Sequence, residues 1–324
     1  MKTKQLPMTL LVILIALLGL GTLRYQQIQD WWKLRGYAAP SAVVTLANED
    51  TMNSYTTHLF YLNKPQLPTT VVGFRKYCPE NAETIVLGCY HPNQNGIYIY
   101  AVQDSTLAGI QQVTAAHEVL HAVYARLSNS ERSKLDAELE AYYKSGLTNT
   151  NVKAEVALYK KTEPTDVYDE MSCTFGTEIQ NLPAALNAYY AQFFTNRQKI
   201  VSYEQQYQEQ FTNRQQQIGQ YDRQLSGMKT QISNEQSSLT TESVALDSED
   251  QQLQGLLSSG QVARYNGEVE SYNSQVDSYN TGIADLKQEI ASYNQLVDTR
   301  NALAGQLTTL DSAIDTRTPT SVAR

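Results

Sequence analysis

The stretch VARYNGEVESYNSQVDSYNTGIADLKQEIASYNQLV, residues 262–297, repeats every seven residues. Val262, Tyr265, Val269, Tyr272, Val276, Tyr279, Ile283, Leu286, Ile290, Tyr293 and Val297 follow one another at alternating steps of three and four. Such spacing keeps one apolar seam on one side of an α-helix and is the mark of a coiled coil. The dipeptide Tyr-Asn recurs at 265, 272, 279 and 293, again at multiples of the heptad. Upstream, Ile218, Tyr221, Leu225, Met228, Ile232, Leu239, Leu246, Leu253 and Leu256 hold the same register, with Glu235, Glu242 and Glu249 at intervening seam positions. Between the two runs lies LSSGQ, residues 257–261, whose Gly260 is a natural helix stop. The spacing predicts an antiparallel coiled-coil hairpin over 196–316, with arms of ~80–90 Å. One continuous helix that pairs with a partner chain or with itself stays open, because a glycine inside a helix costs only about 1 kcal/mol.

The N-terminus is of another kind. Lys2 and Lys4 precede a nearly unbroken apolar run from Met8 to Leu23, which rises ~24 Å as a helix. Residues 1–24 are expected to form a transmembrane signal-anchor, with a cleaved signal peptide as the alternative. Trp31 and Trp32 follow closely, and Trp favours membrane interfaces. Positive charges are nearly balanced on the two sides of the run, so they do not orient it. Cys78 and Cys89 bracket CPENAETIVLGC, a segment able to close on itself. A disulfide there implies an oxidising compartment, whereas two buried thiols imply nothing about it. The bulk of the chain is expected outside the cytoplasm, at a cell membrane crossed once. A net charge of −8 without a basic cluster argues against a nucleic-acid partner.

Residues 25–55 read as a connector without strong periodicity. Residues 56–195 hold all four His and all three Cys. There TTVVGF (69–74) and GIYIYAV (96–102) read as strands, the second after the turn HPNQNG. Helices are expected over 105–127, over 128–146 with Ser128 and Glu131 as a capping box and Gly146 as a stop, and over 164–179. The fold expected is an α+β domain, a small sheet ahead of helices, at 56–195. The coiled-coil hairpin of 196–316 and a disordered tail at 317–324 follow it.

Chemistry concentrates in TAAHEVLHAV, residues 114–123. His117 and His121 are four apart, so a helix stacks them on one face and offers two imidazole nitrogens to one metal ion. Glu118 lies about 100° further round, placed to reach a metal-bound water rather than the ion itself. The neighbours are small or apolar, as a buried metal-binding helix requires. This HExxH motif resembles that of the zincin metallopeptidases. The segment AHEVLHA (116–122), with a later GTE (176–178), is also similar to a signature of membrane-anchored bacterial proteins. The resemblance runs from the strand at Gly96 to Pro183 and covers neither the apolar N-terminus nor the hairpin. No HExxHxxGxxH extension follows His121, so a metzincin is not indicated.

The resemblance implies a Zn2+ cofactor, Glu118 as general base, and a third ligand on a later helix, the gluzincin arrangement. Glu170 is that ligand by analogy, because Ser172, Cys173 and Thr174 let its helix come close. Glu178 is the alternative. An edge strand ahead of the zinc helix, here 97–102, implies a substrate paired by β-addition. Tyr159, Tyr168 and His91 are open choices for stabilising an oxyanion. The function expected is a membrane-anchored zinc metallopeptidase-like hydrolase acting on a protein or peptide. An envelope adaptor working through its coiled coil, with a structural zinc, stays open, as does hydrolysis of a non-peptide substrate.

Overall fold

The structure, a computed structural model, describes residues 25–79, 85–94 and 96–317. It separates into two units. Residues up to Gln208, with those from Ser312 on, form the first; Glu209–Asp311 form the second.

The first unit contains α1 (Tyr25–Leu34), α2 (Ser41–Glu49), α3 (Ser54–Leu62), α4 (Val71–Arg75), strands β1 (Gly88–His91) and β2 (Gly96–Ile99), and a short 3-10 turn at Ser105–Leu107. Then come α5 (Ile110–Tyr124), α6 (Asn129–Ser145), α7 (Thr150–Thr162), α8 (Val167–Glu178) and α9 (Ala184–Tyr190). The two-stranded sheet is the only one among the described residues. This corrects the expected α+β zincin-like domain: the region is helical, with a β-hairpin laid against α5.

TTVVGF shows why. It is β-branched, but Thr70 accepts a hydrogen bond from the Gly73 amide at 3.1 Å, an N-cap that starts α4 instead of a strand. The expected connector, 25–55, carries α1 and α2, and Val43, Leu46 and Ala47 of α2 are buried in the same core as Leu59, Val119, Leu120, Met171 and Phe175. The transmembrane helix expected at 1–24 lies outside the described residues. Among the described residues no helix is long and apolar enough to cross a membrane. Of the expected tail, only Arg317 is described.

In the sheet, β1 and β2 run antiparallel, with Cys89 opposite Tyr98 and Tyr90 opposite Ile97. β2 is wholly buried. Its far side is paired too: Gln66 donates to the Ile97 carbonyl and accepts from the Ile99 amide, both at 2.9 Å. The strand expected to offer a free edge is therefore the middle one of three chain segments, and the outer strand is β1. Cys78 and Cys89 are disulfide-linked, which ties β1 to the residues after α4. The end of the chain returns to this unit. Thr316 is fully buried, and its hydroxyl donates to the Val86 carbonyl at 2.7 Å.

The second unit, Glu209–Asp311, consists of the greater part of two long helices, α10 (Arg197–Ser258) and α11 (Val262–Ile314). Gly260 between them adopts φ +74°, and the Gln261 amide donates back to Leu256, which closes α10. Arg214 meets Gln306, Asp222 meets Arg300, and Gln231 meets Glu289. As one number rises the other falls, so the arms are antiparallel within one chain. The described chain thus turns at Gly260 rather than continuing as one helix. Every seam position from Val269 to Val297 is buried or half-buried, and Leu239, Leu246, Leu253 and Leu286 are buried outright.

Candidate metal centre

α5 starts after Gly109 and is buried along most of its length. Its main neighbour is α8. The two helices come close because α8 turns small side chains inward: Ser172, Cys173, Thr174, Gly176 and Thr177 are all buried. A Cβ on Gly176 would lie 2.6 Å from Leu120 Cδ1 and 2.7 Å from Tyr190 Cε1. No larger residue fits there without moving a packed neighbour.

That approach carries Glu170, in the first turn of α8, to the two histidines. Its Oε2 lies 3.5 Å from His117 Nε2 and its Oε1 lies 3.6 Å from His121 Nε2. Two ligands of a tetrahedral zinc with bonds of ~2.0–2.2 Å stand about 3.4 Å apart, and each of the two Glu170–His spacings is close to that. Burial pushes the Glu170 carboxyl up, but the His117 hydrogen bond and the two imidazoles outweigh it and hold Glu170 below its ordinary range.

Behind His121, Asp169 Oδ1 accepts from Nδ1 at 2.9 Å. This contact fixes the ring and leaves Nε2 for a ligand role. Burial works against a charged His121, yet Cys173, Asp169 and Glu170 together raise its pKa well above the usual value. The Tyr90 ring of β1 lies parallel to the His121 ring, with centroids 6.4 Å apart.

Cys173 is a rival donor, since its sulfur and ring nitrogens of both histidines lie within 4.8 Å of one another. It also contacts Asp169 Oδ1, at 3.8 Å. Burial raises the thiol pKa in the absence of an ion. Glu170, with one oxygen towards each Nε2, and Cys173 are thus the two candidate third donors. Glu178, the alternative expected from the sequence, ends α8 and lies among carboxylates, with no ion pair to either histidine among the described residues. Burial raises its pKa well above normal, and Glu155 and Glu204 raise it further.

Glu118 is 4% exposed, and its Oε2 meets no hydrogen-bond partner. Desolvation raises its pKa to about 7. β1 closes over it: a Cβ on Gly88 would fall 2.4 Å from Glu118 Oε1 and 2.5 Å from Thr114 Cγ2. A buried carboxylate with an orphaned oxygen, beside two imidazoles and a second carboxylate, fits the setting of a metal-bound water.

The remaining candidates are spread. Tyr159 donates to Glu155 at 2.9 Å and feels the charge of Glu170, so it borders the site. Tyr168 packs at the margin of the core. The His91 Nε2 donates to the Tyr77 carbonyl at 2.6 Å, next to the disulfide. Sequence reasoning missed Asp169, Tyr90 and Gly88. Asp169 had a signal, since a ligand histidine needs an acceptor for its second nitrogen and an acidic residue stood beside Glu170.

No protein-family model matches the chain, and neither a curated protein nor a solved structure does.

Proposed function

We propose that the chain is a zinc-dependent hydrolase of metallopeptidase type, acting on a peptide or protein at the cell envelope outside the cytoplasm. One observation carries the reading: Glu170 spans the Nε2 atoms of His117 and His121 while Glu118, buried with a free oxygen, stands beside them. The HExxH likeness to zincins extends here to the set of donors, not to the α+β fold. The Cys78–Cys89 disulfide supports an oxidising compartment.

His117, His121 and Glu170 would hold the ion. Zinc bound there supplies a Lewis acid and brings a water towards ionisation near neutral pH. Glu118 accepts the proton of the attacking water at its free oxygen and returns it to the leaving amine. Asp169 keeps the His121 ring in one orientation throughout. Gly88 leaves room for the Glu118 carboxylate.

An envelope adaptor acting through the hairpin, with a structural zinc, is favoured by the length of that hairpin alone. A structural site needs no base beside its ligands, and Glu118 is otherwise a costly residue to bury. The test is a peptide-library digest by the purified zinc-loaded chain and by Glu118→Gln. Wild type should cleave, and the variant should keep its zinc while losing about 10²- to 10⁴-fold in rate. Zinc binding without any cleavage by wild type would point to the adaptor.

A further inference from the structure

α1 packs on the first unit by one narrow side. Asp30, 7% exposed, accepts from both terminal nitrogens of Arg126 at 2.8 Å each, and His58 Nε2 lies 3.8 Å away. Leu34 rests against the core. The rest of the helix faces outward, and it is unusually apolar there. Ile28, Trp31 and Trp32 are 48%, 58% and 59% exposed, at the i, i+3, i+4 spacing of a single face. The two indoles meet edge to face with centroids 5.2 Å apart, and the Arg35 guanidinium lies 5.6 and 5.3 Å from them.

Three facts identify what covers this face. Its apolar part is three side chains, a few hundred Å² at most, against the ~800 Å² per partner of a stable protein interface. Its composition is that of a water–lipid boundary: two indoles and a stacked guanidinium, on a helix whose flanks carry polar Gln27 and Gln29. And in the sequence the apolar run Met8–Leu23 ends two residues before α1 begins, which brings any bilayer that takes up that run within reach of α1.

We propose that the Ile28, Trp31 and Trp32 face of α1 docks on a lipid bilayer with anionic headgroups, the helix lying along the surface. Arg35, stacked on the indoles, meets the headgroups, and the indoles sit at the level of the upper acyl chains. The consequence reaches the metal centre. Arg126 follows α5 by two residues, so its paired contact with Asp30 ties the lipid-facing helix to the end of the histidine-bearing one. The metal centre is then held near the membrane.

Trp31 and Trp32 are the protein's only two tryptophans, so intrinsic fluorescence reports this face alone. The full chain is reconstituted in phosphatidylcholine–phosphatidylglycerol vesicles whose acyl chains carry bromine either close to the headgroup or near the chain end. Docking gives blue-shifted emission, strong quenching by shallow bromine and weaker quenching by deep bromine. A helix standing straight up from the end of the apolar run would carry Trp32 ~13 Å beyond it. In that case emission stays at the water-exposed wavelength without quenching, and the proposal is wrong. Blue-shifted emission without quenching would overturn it in favour of a protein cover, either residues 8–23 or a second copy. Quenching strongest from deep bromine would overturn the interfacial placement.

Discussion

α5 and α10 are both helices, yet they are stabilised in opposite ways. Of the fifteen residues of α5, eleven are buried, Glu118 and Thr114 among them. Within the hairpin unit, α10 buries only Leu239, Leu246 and Leu253 outright, one per heptad, with half-buried residues between. α5 is enclosed by α2, α3, α8 and the sheet, whereas each hairpin arm has one neighbour along one stripe. The difference teaches where sequence changes hurt. In α5 and α8 every added or removed methyl group is felt, while in the hairpin most positions answer only to helix propensity.

The largest contrast should come from the same substitution in each region. Leu120→Ala, in α5, removes a side chain that is 1% exposed and should cost about 3–5 kcal/mol, near the upper end for buried leucine. Leu246→Ala in α10 should cost nearer 2 kcal/mol, because a two-helix seam can close on the gap. Amide hydrogen exchange resolved by segment checks both. Equal losses of protection would remove the contrast.

Glycine should reverse sign between the regions. Gly176→Ala forces a Cβ into Leu120 and Tyr190 and should destabilise the first unit by about 1–3 kcal/mol.

Buried charge sets the next effect. Neither carboxylate oxygen of Asp50, which is fully buried, meets a partner. Desolvation, with Glu49 nearby, raises its pKa well above normal. A carboxyl raised on folding contributes stability below its unfolded pKa and loses it as pH climbs towards the folded one, by about 1.4 kcal/mol per pH unit. Asp50→Asn should therefore match wild type near pH 4 and melt several degrees higher at pH 8. An advantage that grows towards acid would contradict this.

The smallest effect belongs to the hairpin. A Cβ on Gly267 meets nothing, so Gly267→Ala should stabilise its arm by up to about 1 kcal/mol. A destabilised arm would mean that the exposed face of α11 is covered in solution.

The same contrast decided what the sequence disclosed. The hairpin was legible because its burial repeats with the heptad, and Val269, Tyr272 and Val276 needed no other information. His117, Glu118 and His121 were legible because helix geometry alone puts them together. Glu170 was preferred to Glu178 by analogy alone, since the choice rests on how α8 approaches α5, and Gly176 and its small neighbours set that approach. Asp169 and Gly88 act through contacts made across elements, which no local spacing encodes. TTVVGF was misread because β-branched composition was weighed above the Thr70 cap. The edge strand was misplaced because Gln66, in a segment without strand character, fills the far side of β2. Residues 25–55 looked like a connector because Val43, Leu46 and Ala47 are buried by tertiary contacts rather than by a long periodic stripe.

The central claim is the donor set: His117, His121 and Glu170 on one zinc ion, without Cys173. X-ray absorption at the zinc edge of the loaded full chain tests it most directly. The account predicts about one zinc per chain, bound only to nitrogen and oxygen at ~2.0–2.2 Å, with the zinc weakened at least tenfold in Glu170→Ala and unchanged in Cys173→Ser. A zinc–sulfur distance of ~2.3 Å that disappears in Cys173→Ser, or a chain that retains no zinc, would contradict it.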